Sequence, residues 1–232
     1  MTTILAAALF VLAQDTIKTE KGDLTIHPIE HATFVMKWGG KTIFVDPTKG
    51  GDAFKEFGKP DLILVTDIHG DHHDPKTLSA VRAPESVVIV PAAVAEKMGA
   101  DKGNAKVLAN GEKTKVGEIE IEAVPMYNLT EERKNFHTKG RGNGYVVTIG
   151  GKRIYISGDT EDIPEMRALK NIDAAFVCMN LPYTMTPEEA GECVAAFKPK
   201  ILVPYHYRGQ DPSKLEPKAK EAGVTVERLK FY

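Results

Sequence analysis

A nine-residue segment of this chain is unusually rich in metal-ligand side chains. Three histidines and three aspartates lie between Thr66 and Asp74. The apolar run Leu62–Val65 precedes them and predicts a short buried strand, so the segment follows a strand's carboxyl end. Imidazole nitrogens and carboxylate oxygens are ligands of zinc, manganese and iron. A solvated polar loop is the alternative, but this density of ligand types at the edge of a core favours a metal site.

Two further polar residues follow predicted strands in the second half of the chain. Asp159 comes after the strand Arg153–Ser157, where Gly158 allows a sharp turn. His206 comes after the strand Ile201–Pro204. Taken alone, the aspartate would indicate a turn or a helix cap, and the histidine a packed core residue. Together with the first segment they predict one cleft built from strand-end loops, with Asp159 as a candidate bridge between two metals.

Bulk properties describe a globular protein without a strong electrostatic preference. The 232 residues carry a net charge of −2, with 42% hydrophobic and 27% charged residues. Such a charge does not favour nucleic acid or an anionic membrane surface. The two cysteines, Cys178 and Cys193, lie in apolar contexts and are expected to be buried free thiols. These bulk properties count against nucleic acid as a partner and leave a homo-oligomer open.

The amino terminus contains an apolar run of a different kind. Ile4–Ala13 is too short to span a bilayer but fits the core of a signal peptide. Val11 and Ala13 suit cleavage before Gln14, although no lysine or arginine precedes the run. We interpret residues 1–13 as a signal peptide for export to the periplasm or the medium, and 14–232 as one domain. The alternative is an N-terminal strand or core-packing segment of a cytoplasmic protein.

Hydrophobic periodicity and turn residues predict one α/β domain with mixed sheets. The first half is rich in hairpins, at Gly39-Gly40 for example, and the second half alternates strands and helices, with a further hairpin at Gly150-Gly151. The predicted strands are Leu24–Ile29, Thr33–Lys37, Thr42–Asp46, Asp61–Thr66, Ser86–Val90, Glu118–Val124, Tyr145–Ile149, Arg153–Ser157, Ala174–Cys178, Ile201–Pro204 and Thr225–Leu229. The predicted helices are Pro75–Ala83, Ala92–Lys97, Ile163–Leu169, Pro187–Phe197 and Pro212–Ala222.

Taken together, these motifs resemble those of the metallo-β-lactamase superfamily, and most closely its L-ascorbate-6-phosphate lactonase-like branch. The superfamily's His-x-His-x-Asp-His block corresponds to Asp67–His72, its later bridging aspartate to Asp159, and its last histidine to His206. His31-Ala32-Thr33 and Phe44-Val45-Asp46-Pro47 are similar to the branch's upstream strands. The resemblance covers nearly all of residues 24–230. It implies an αββα sandwich, two mixed β-sheets flanked by helices, with two divalent metals at one edge.

Two positions depart from the family pattern. Asp67 stands where the family usually has a histidine, and Asn128 stands where another histidine usually completes the first metal's ligand set. His137 is either the substitute ligand or a substrate-binding or surface-loop residue. By resemblance, Asp71, His72, Asp159 and His206 hold the second metal, and Asp67, His69 and Asp159, with or without His137, hold the first. This oxygen-rich set favours manganese or iron(II) beside zinc.

The remaining polar residues around these motifs are assigned supporting roles. His31 and Asp46 are expected to orient ligands through hydrogen bonds. Asp74 before Pro75 is a predicted helix N-cap. His73 is expected beside the ligands or at the helix start, and His27 is left as a structural residue.

The expected chemistry is hydrolysis by metal-activated water, with Asp71 and His206 as the catalytic residues and Asp71 accepting the proton of the attacking water. The substrate is expected to be a small anionic ester, lactone or phosphoester. Candidate substrate contacts are Asn128, Arg133, Tyr183 and Arg208, and residues 131–144 form a cation-rich loop that could clamp an anion. The alternatives are a nuclease or phosphodiesterase of the same superfamily, and a non-catalytic metal-binding or ligand-sensing protein.

Overall fold

The computed structural model describes residues 16–232, so the predicted signal peptide and its cleavage site lie outside the described residues. Each half of this part of the chain builds a seven-stranded sheet whose strands follow sequence order. The first sheet contains β1 Thr16–Thr19, β2 Gly22–Glu30, β3 Thr33–Trp38, β4 Lys41–Val45, β5 Leu62–Leu64, β6 Val87–Val90 and β7 Lys106–Val107. The second contains β8 Lys113–Val116, β9 Ile119–Met126, β10 Gly142–Ile149, β11 Lys152–Ile156, β12 Ala174–Cys178, β13 Ile201–Tyr205 and β14 Thr225–Val226.

The two sheets share one design. In each, the first four strands pair antiparallel and the last three are added in parallel. The predicted hairpins at Gly39-Gly40 and Gly150-Gly151 are confirmed, since Trp38 pairs with Lys41 and Ile149 with Lys152. The expected contrast between a hairpin-rich first half and an alternating second half is wrong, because both halves contain both patterns.

The sheets pack face to face and are covered by helices on their outer sides. Phe34 of β3 stacks on Phe176 of β12, with ring centroids 4.5 Å apart, which joins the two sheets across the inner core. Such a pair contributes about 0.5–1.5 kcal/mol beyond its buried area. The next residue, Val35, points to the opposite face and packs in an outer cluster with Leu78 and Val94 of the helices. The αββα sandwich is confirmed.

Five α-helices of residues 16–232 cover the sheets, and two of them begin with a side-chain cap. They are α1 Pro75–Val81, α2 Ala92–Met98, α3 Pro164–Arg167, α4 Pro187–Phe197 and α5 Glu216–Glu221. Asp74 caps α1 by accepting from the backbone N–H groups of Lys76 and Thr77, as predicted. Thr186 and Glu189 form a capping box at α4. None of the helices in residues 16–232 has the length and apolar character needed to cross a membrane.

The elements that the sequence did not predict are short or polar. They are β1, β7 and β8, together with 3-10 helices at Gly51–Phe57 and Gly99–Lys102. Strand β8 has the sequence Lys-Thr-Lys-Val with no buried residue, so no apolar alternation marked it. The predicted helix Pro212–Ala222 divides into a 3-10 turn, Pro212–Leu215, and α5.

Candidate metal centre

The polar residues that follow β4, β5, β11 and β13 meet at one edge of the sandwich. Strands β4 and β5 are parallel neighbours, and β11, β12 and β13 are parallel as well. The carboxyl ends of parallel strands lie at the same edge of a sheet, so Asp46, Asp67, Asp159 and His206 are placed together from residues far apart in sequence. The packing of the two sheets then brings the two edges into one site.

Unusual backbone conformations are concentrated at this edge. His31, Asp46 and His206 have φ values of 59°, 44° and 51°, in the left-handed region that favours glycine. A non-glycine residue held there costs on the order of 1–3 kcal/mol and persists only where its surroundings fix it. The backbone N–H of His206 donates to the carbonyl of His31, so two of these residues hold each other. Such strain is typical of functional sites.

Four side chains form what we call the second position: Asp71, His72, Asp159 and His206. The Nε2 atom of His72 lies 3.2 Å from Asp159 Oδ2. His206 Nε2 lies 3.3 Å from Asp159 Oδ1 and 3.4 Å from Asp71 Oδ2. The two imidazole Nε2 atoms are 3.1 Å apart. Three of these side chains are buried, and only Asp71 is partly open, with 36% of its side chain exposed.

The orientation of His72 is set by Asp46. The Nδ1 atom of His72 lies 2.8 Å from Asp46 Oδ2, and the same carboxylate accepts from Thr66 N at 2.7 Å and Thr66 Oγ1 at 2.6 Å. Burial raises the pKa of Asp46, while its contact with His72 opposes that rise. Donation from Nδ1 to Asp46 directs the Nε2 atom of His72 toward Asp159. The predicted support of a ligand by Asp46 is therefore present in the geometry.

A second group, which we call the first position, consists of Asp67, His69 and His137. Asp67 Oδ2 lies 2.9 Å from His69 Nδ1 and 3.9 Å from His137 Nε2. His137 Nε2 also lies 3.1 Å from Asp159 Oδ2. Asp159 therefore contacts the imidazoles of both positions, which is the geometry that a bridging ligand needs. His137 is 1% exposed, so it is not a surface-loop residue.

The surroundings of His137 determine which of its nitrogens is free. Nδ1 lies 3.1 Å from the carbonyl oxygen of Tyr183, which only accepts, so Nδ1 carries the hydrogen. Asn128 Nδ2 uses its two hydrogens on the carbonyls of Arg133 and Tyr183, at 2.8 and 2.7 Å. The other ring nitrogen of His137, Nε2, then faces Asp159.

The titration behaviour of the centre follows from burial and charge. Burial would raise the pKa of Asp159, but His206 and His72 hold it well below its usual value. The pKa of Asp71 is likewise lowered, because contacts with His206 and His31 outweigh burial. Burial would lower the pKa of His72, but Asp159 and Asp46 raise it well above its usual value. The carboxylates of Asp159 and Asp71 are thus ionised at neutral pH.

These residues fit divalent cations. His137 Nε2 and Asp159 Oδ1 are buried and have no hydrogen-bond partner among residues 16–232. His137 Nε2 faces the ionised Asp159 carboxylate at 3.1 Å, and a neutral His137 would present a lone pair to a cation there. The potential ligand atoms of each triad, Asp67–His69–His137 and His72–Asp159–His206, lie within 4.8 Å of one another. Imidazole with carboxylate suits zinc, manganese or iron.

Removal of the Asp46 charge gives a test of ligand orientation. We expect Asp46→Asn to weaken cation binding by roughly 10–100-fold, because His72 loses the carboxylate that fixes its ring. Competition with a chromogenic chelator measures the change. Asp52→Asn is the matched control, since Asp52 lies outside the centre and 90% of its side chain is exposed. Equal affinity in the parent and Asp46→Asn would contradict this role for Asp46.

Two predicted substrate contacts have structural partners instead. Asn128 is 5% exposed, its backbone N–H donates to the carbonyl of His137, and its side chain donates to the carbonyls of Arg133 and Tyr183. Arg133 binds Glu161 and Glu189, and it donates to the carbonyl of Thr184. Because the N–H groups of Arg133 are already bound to Glu161, Glu189 and Thr184, they are not available to an anionic substrate. We therefore assign both residues to holding the loop that carries His137, in place of substrate binding.

The other two candidates remain accessible. Tyr183 is 46% exposed, and its ring packs edge to face on Phe136 at 5.1 Å, next to His137. Arg208 is exposed and forms no salt bridge within residues 16–232. Burial is the main cause of the lowered pKa of His31, and the charges of His206 and, to a smaller extent, Arg208 add to it, which puts the guanidinium on the His31 side of the centre.

Other predicted residues divide between the centre and the rest of the fold. His31 Nε2 lies 3.1 Å from Asp71 Oδ2, so His31 supports a candidate ligand as expected. His73 joins neither position and lines a separate cavity of about 490 Å³ beside α1 and α2. His27 contacts Thr25 and Phe57 away from the centre. Cys178 and Cys193 are buried and free, and burial raises the pKa of Cys178 to about 12.

Sequence reasoning missed two residues that contact the centre. Tyr232 Oη lies 2.5 Å from His31 Nδ1, and nothing in the local sequence marks it. Arg141 lies in the loop 131–144 that was predicted to clamp an anion, but it binds Asp67. The aspartate at position 67, where the family usually has a histidine, could have indicated such a partner, because a fully buried carboxylate needs a cationic or hydrogen-bonding group beside it.

Comparisons with known proteins agree on one family. Residues 25–206 match the β-lactamase superfamily domain. A UPF0173 metal-dependent hydrolase of Pyrococcus furiosus is 33% identical over 199 residues, covering 81% of this chain and 86% of its own. A crystal structure from Parabacteroides distasonis, assigned to the metal-dependent hydrolases, is 40% identical with a TM-score of 0.87, covering 94% of this chain and 98% of its own. A metallo hydrolase from Ignicoccus hospitalis shares the fold at 20% identity, with a TM-score of 0.73 and coverage of 89% and 94%.

Proposed function

Because the chain belongs to the metallo-β-lactamase superfamily of metal-dependent hydrolases, we propose that it uses two divalent cations to hydrolyse a small substrate. The observation that carries this proposal is the position of Asp159, whose carboxylate lies within 3.3 Å of imidazole nitrogens from both groups. Such a shared carboxylate has a clear use in a centre with two cations and much less use in a centre with one.

The chain offers a complete ligand set for this proposal. Asp67, His69 and His137 would hold one cation, Asp71, His72 and His206 the other, and Asp159 both. When bound, such cations supply Lewis acidity and lower the pKa of a coordinated water toward about 7. Three carboxylates among seven ligand side chains make the set rich in oxygen, which favours manganese or iron(II) beside zinc.

Asp71 is the candidate proton acceptor. It combines partial exposure with a lowered pKa, so it faces the open side of the centre as a carboxylate at neutral pH. His31 and His206 hold its Oδ2 at 3.1 and 3.4 Å, which fixes the carboxylate for that role. His69 is the other accessible residue, with 41% of its side chain exposed. A substrate would therefore approach on the side of Asp71 and His69.

The substrate we infer is a small anionic ester, lactone or phosphoester. Arg208 is the accessible cation on the His31 side, suited to a carboxylate or phosphate group. The exposed Phe136–Tyr183 pair next to His137 suits an apolar part of the same molecule. The resemblance to the ascorbate-6-phosphate lactonase branch is the reason to include lactones.

A substrate panel tests the proposal. Protein reloaded with zinc, manganese or iron(II) would be assayed on an aryl ester, an aliphatic lactone, a phosphomonoester and a phosphodiester, each with and without a carboxylate group. We expect metal-dependent turnover of at least one ester or lactone, faster for the carboxylate form, with that preference lost in Arg208→Gln. Turnover of phosphodiesters alone would favour a phosphodiesterase, and no turnover with full metal occupancy would favour a non-catalytic binding protein.

We also infer export from Ile4–Ala13. Expression of the full chain with its own amino terminus, followed by mass spectrometry of the mature protein, tests this. A mass that corresponds to a start at Gln14 supports export, and retention of Met1–Ala13 contradicts it.

A further inference from the structure

Asp67 forms a salt bridge with Arg141 through Oδ2, the same oxygen that faces His69 and His137. Arg141 Nη2 lies 2.8 Å from Asp67 Oδ2, and Arg141 Nε lies 3.1 Å from Asp67 Oδ1. The Asp67 side chain is fully buried, and 16% of the Arg141 side chain is exposed. Since His69 Nδ1 lies 2.9 Å from Oδ2, this oxygen is shared between the guanidinium and the candidate ligand cluster.

The backbone is built to bring these two residues together. Arg141 directly precedes β10, and the N–H of Asn143 donates to the carbonyl of Thr66, next to Asp67. Gly142 between them permits the approach, because a Cβ atom there would lie 2.9 Å from Thr66 O. The pairing is therefore supported by a backbone hydrogen bond between the two sheets and does not depend on a flexible surface side chain alone.

Arg141 makes the two positions electrostatically unequal. In the first position the negative charge of Asp67 is balanced by Arg141, which stays protonated at all ordinary pH values, and His69 and His137 are neutral ligands when they bind a cation. In the second position Asp71 has no lysine or arginine partner within residues 16–232, and neither has the shared Asp159. A cation is therefore attracted more strongly to the second position.

We propose, on the basis of the two-cation centre inferred above, that Arg141 cancels the charge of Asp67 and makes the first position the weaker site. The centre then fills in a fixed order, with the second position first. Arg141 also satisfies the buried Asp67 carboxylate in the absence of a cation, which keeps the empty first position folded. It is a positioning and charge-balancing residue rather than a catalytic one.

Calorimetric titration of the metal-depleted full chain with Zn²⁺ tests the proposal. We expect two binding steps in the parent that differ by roughly tenfold or more in affinity. In Arg141→Gln the weaker step should tighten by about tenfold or more, while the tighter step stays within about threefold. Arg141→Lys keeps the charge and should leave both steps near parental values. Lys139→Gln is the matched control, because Lys139 pairs with Glu165 and not with a ligand.

A second comparison stays informative if Arg141→Gln does not fold. In Asp67→Asn the arginine is left without its counter-charge, and the weaker step should be lost. Removing the guanidinium as well, in the double variant Asp67→Asn/Arg141→Gln, should restore the weaker binding step or tighten it by about tenfold relative to Asp67→Asn. Under a purely structural role for Arg141, its removal in this background would change nothing.

The outcomes separate this proposal from the function it rests on. If the weaker binding step, that of the first position, is unchanged or weakened in Arg141→Gln while Arg141→Lys binds normally, the charge-balancing role is overturned and the two-cation centre stays intact. A single step in the parent that becomes two in Arg141→Gln supports the proposal. A single step in both contradicts it. No binding in any variant contradicts the proposed function itself.

Discussion

Replacement of Asp159 by asparagine is expected to empty both cation positions and to reduce hydrolysis by about a thousandfold or more, because the cations supply several kcal/mol of transition-state stabilisation. The reason is geometric. The Asp159 carboxylate contacts His72 and His206 in the second position and His137 in the first, all within 3.3 Å. An amide has nearly the same shape but carries no charge, so it is a poor bridging ligand.

The measurement for Asp159→Asn is metal content per chain, followed by turnover of the best substrate of the panel. Asp162→Asn is the matched control, since Asp162 lies three residues downstream and pairs with Arg167 outside the centre. Circular dichroism checks that each variant folds. A folded Asp159→Asn protein that retains two cations would show that Asp159 is not a shared ligand.

The second large effect is expected for Asp71→Ala. Asp71 is the partly exposed member of the centre, so its removal should leave much of the fold intact while turnover falls by roughly a hundredfold to ten-thousandfold. Loss of a ligand should also weaken the second position, so both kcat and occupancy need to be followed. Saturating metal separates the two, because the defect in kcat persists when occupancy is restored.

Asp71→Asn provides the conservative comparison. Its amide oxygen can still contact a cation but does not accept a proton as a carboxylate does, so turnover should stay low even where metal binding recovers. The control Asp52→Ala removes an exposed carboxylate far from the centre. Parental turnover in Asp71→Ala at full occupancy would exclude Asp71 as the proton acceptor.

Most of the fold was predictable because its strands are apolar and its turns carry glycine. The buried runs of β5, β12 and β13, and the cap residues Asp74 and Thr186, are local signals that the structure confirms. Strands β7 and β8 are held by pairing with their neighbours and not by their own composition. For that reason no pattern within their own residues predicts them.

The candidate site was predictable in its residue types but not in its pairings. The dense segment 66–74 and the strand-end positions of Asp159 and His206 identified the ligand candidates. Arg141 pairs with Asp67, 74 residues away in sequence, and Arg133 pairs with Glu189, 56 residues away. These pairings depend on how the sheets and loops pack. Sequence spacing contains no information about such contacts, so Arg133 was expected in substrate binding, whereas the structure gives it structural partners.

The two-cation centre is tested most directly by metal content per chain in the parent and in His137→Ala. Both proteins would be depleted of metal, reloaded with saturating Zn²⁺ or Mn²⁺ and measured by elemental mass spectrometry. We predict two equivalents in the parent and one in the variant, because His137 is a ligand of the first position only. One equivalent in both proteins would contradict the two-cation centre and the ligand role of His137. Near-zero metal in the parent, not restored by zinc, manganese or iron(II), would contradict the metal-dependent hydrolase as a whole.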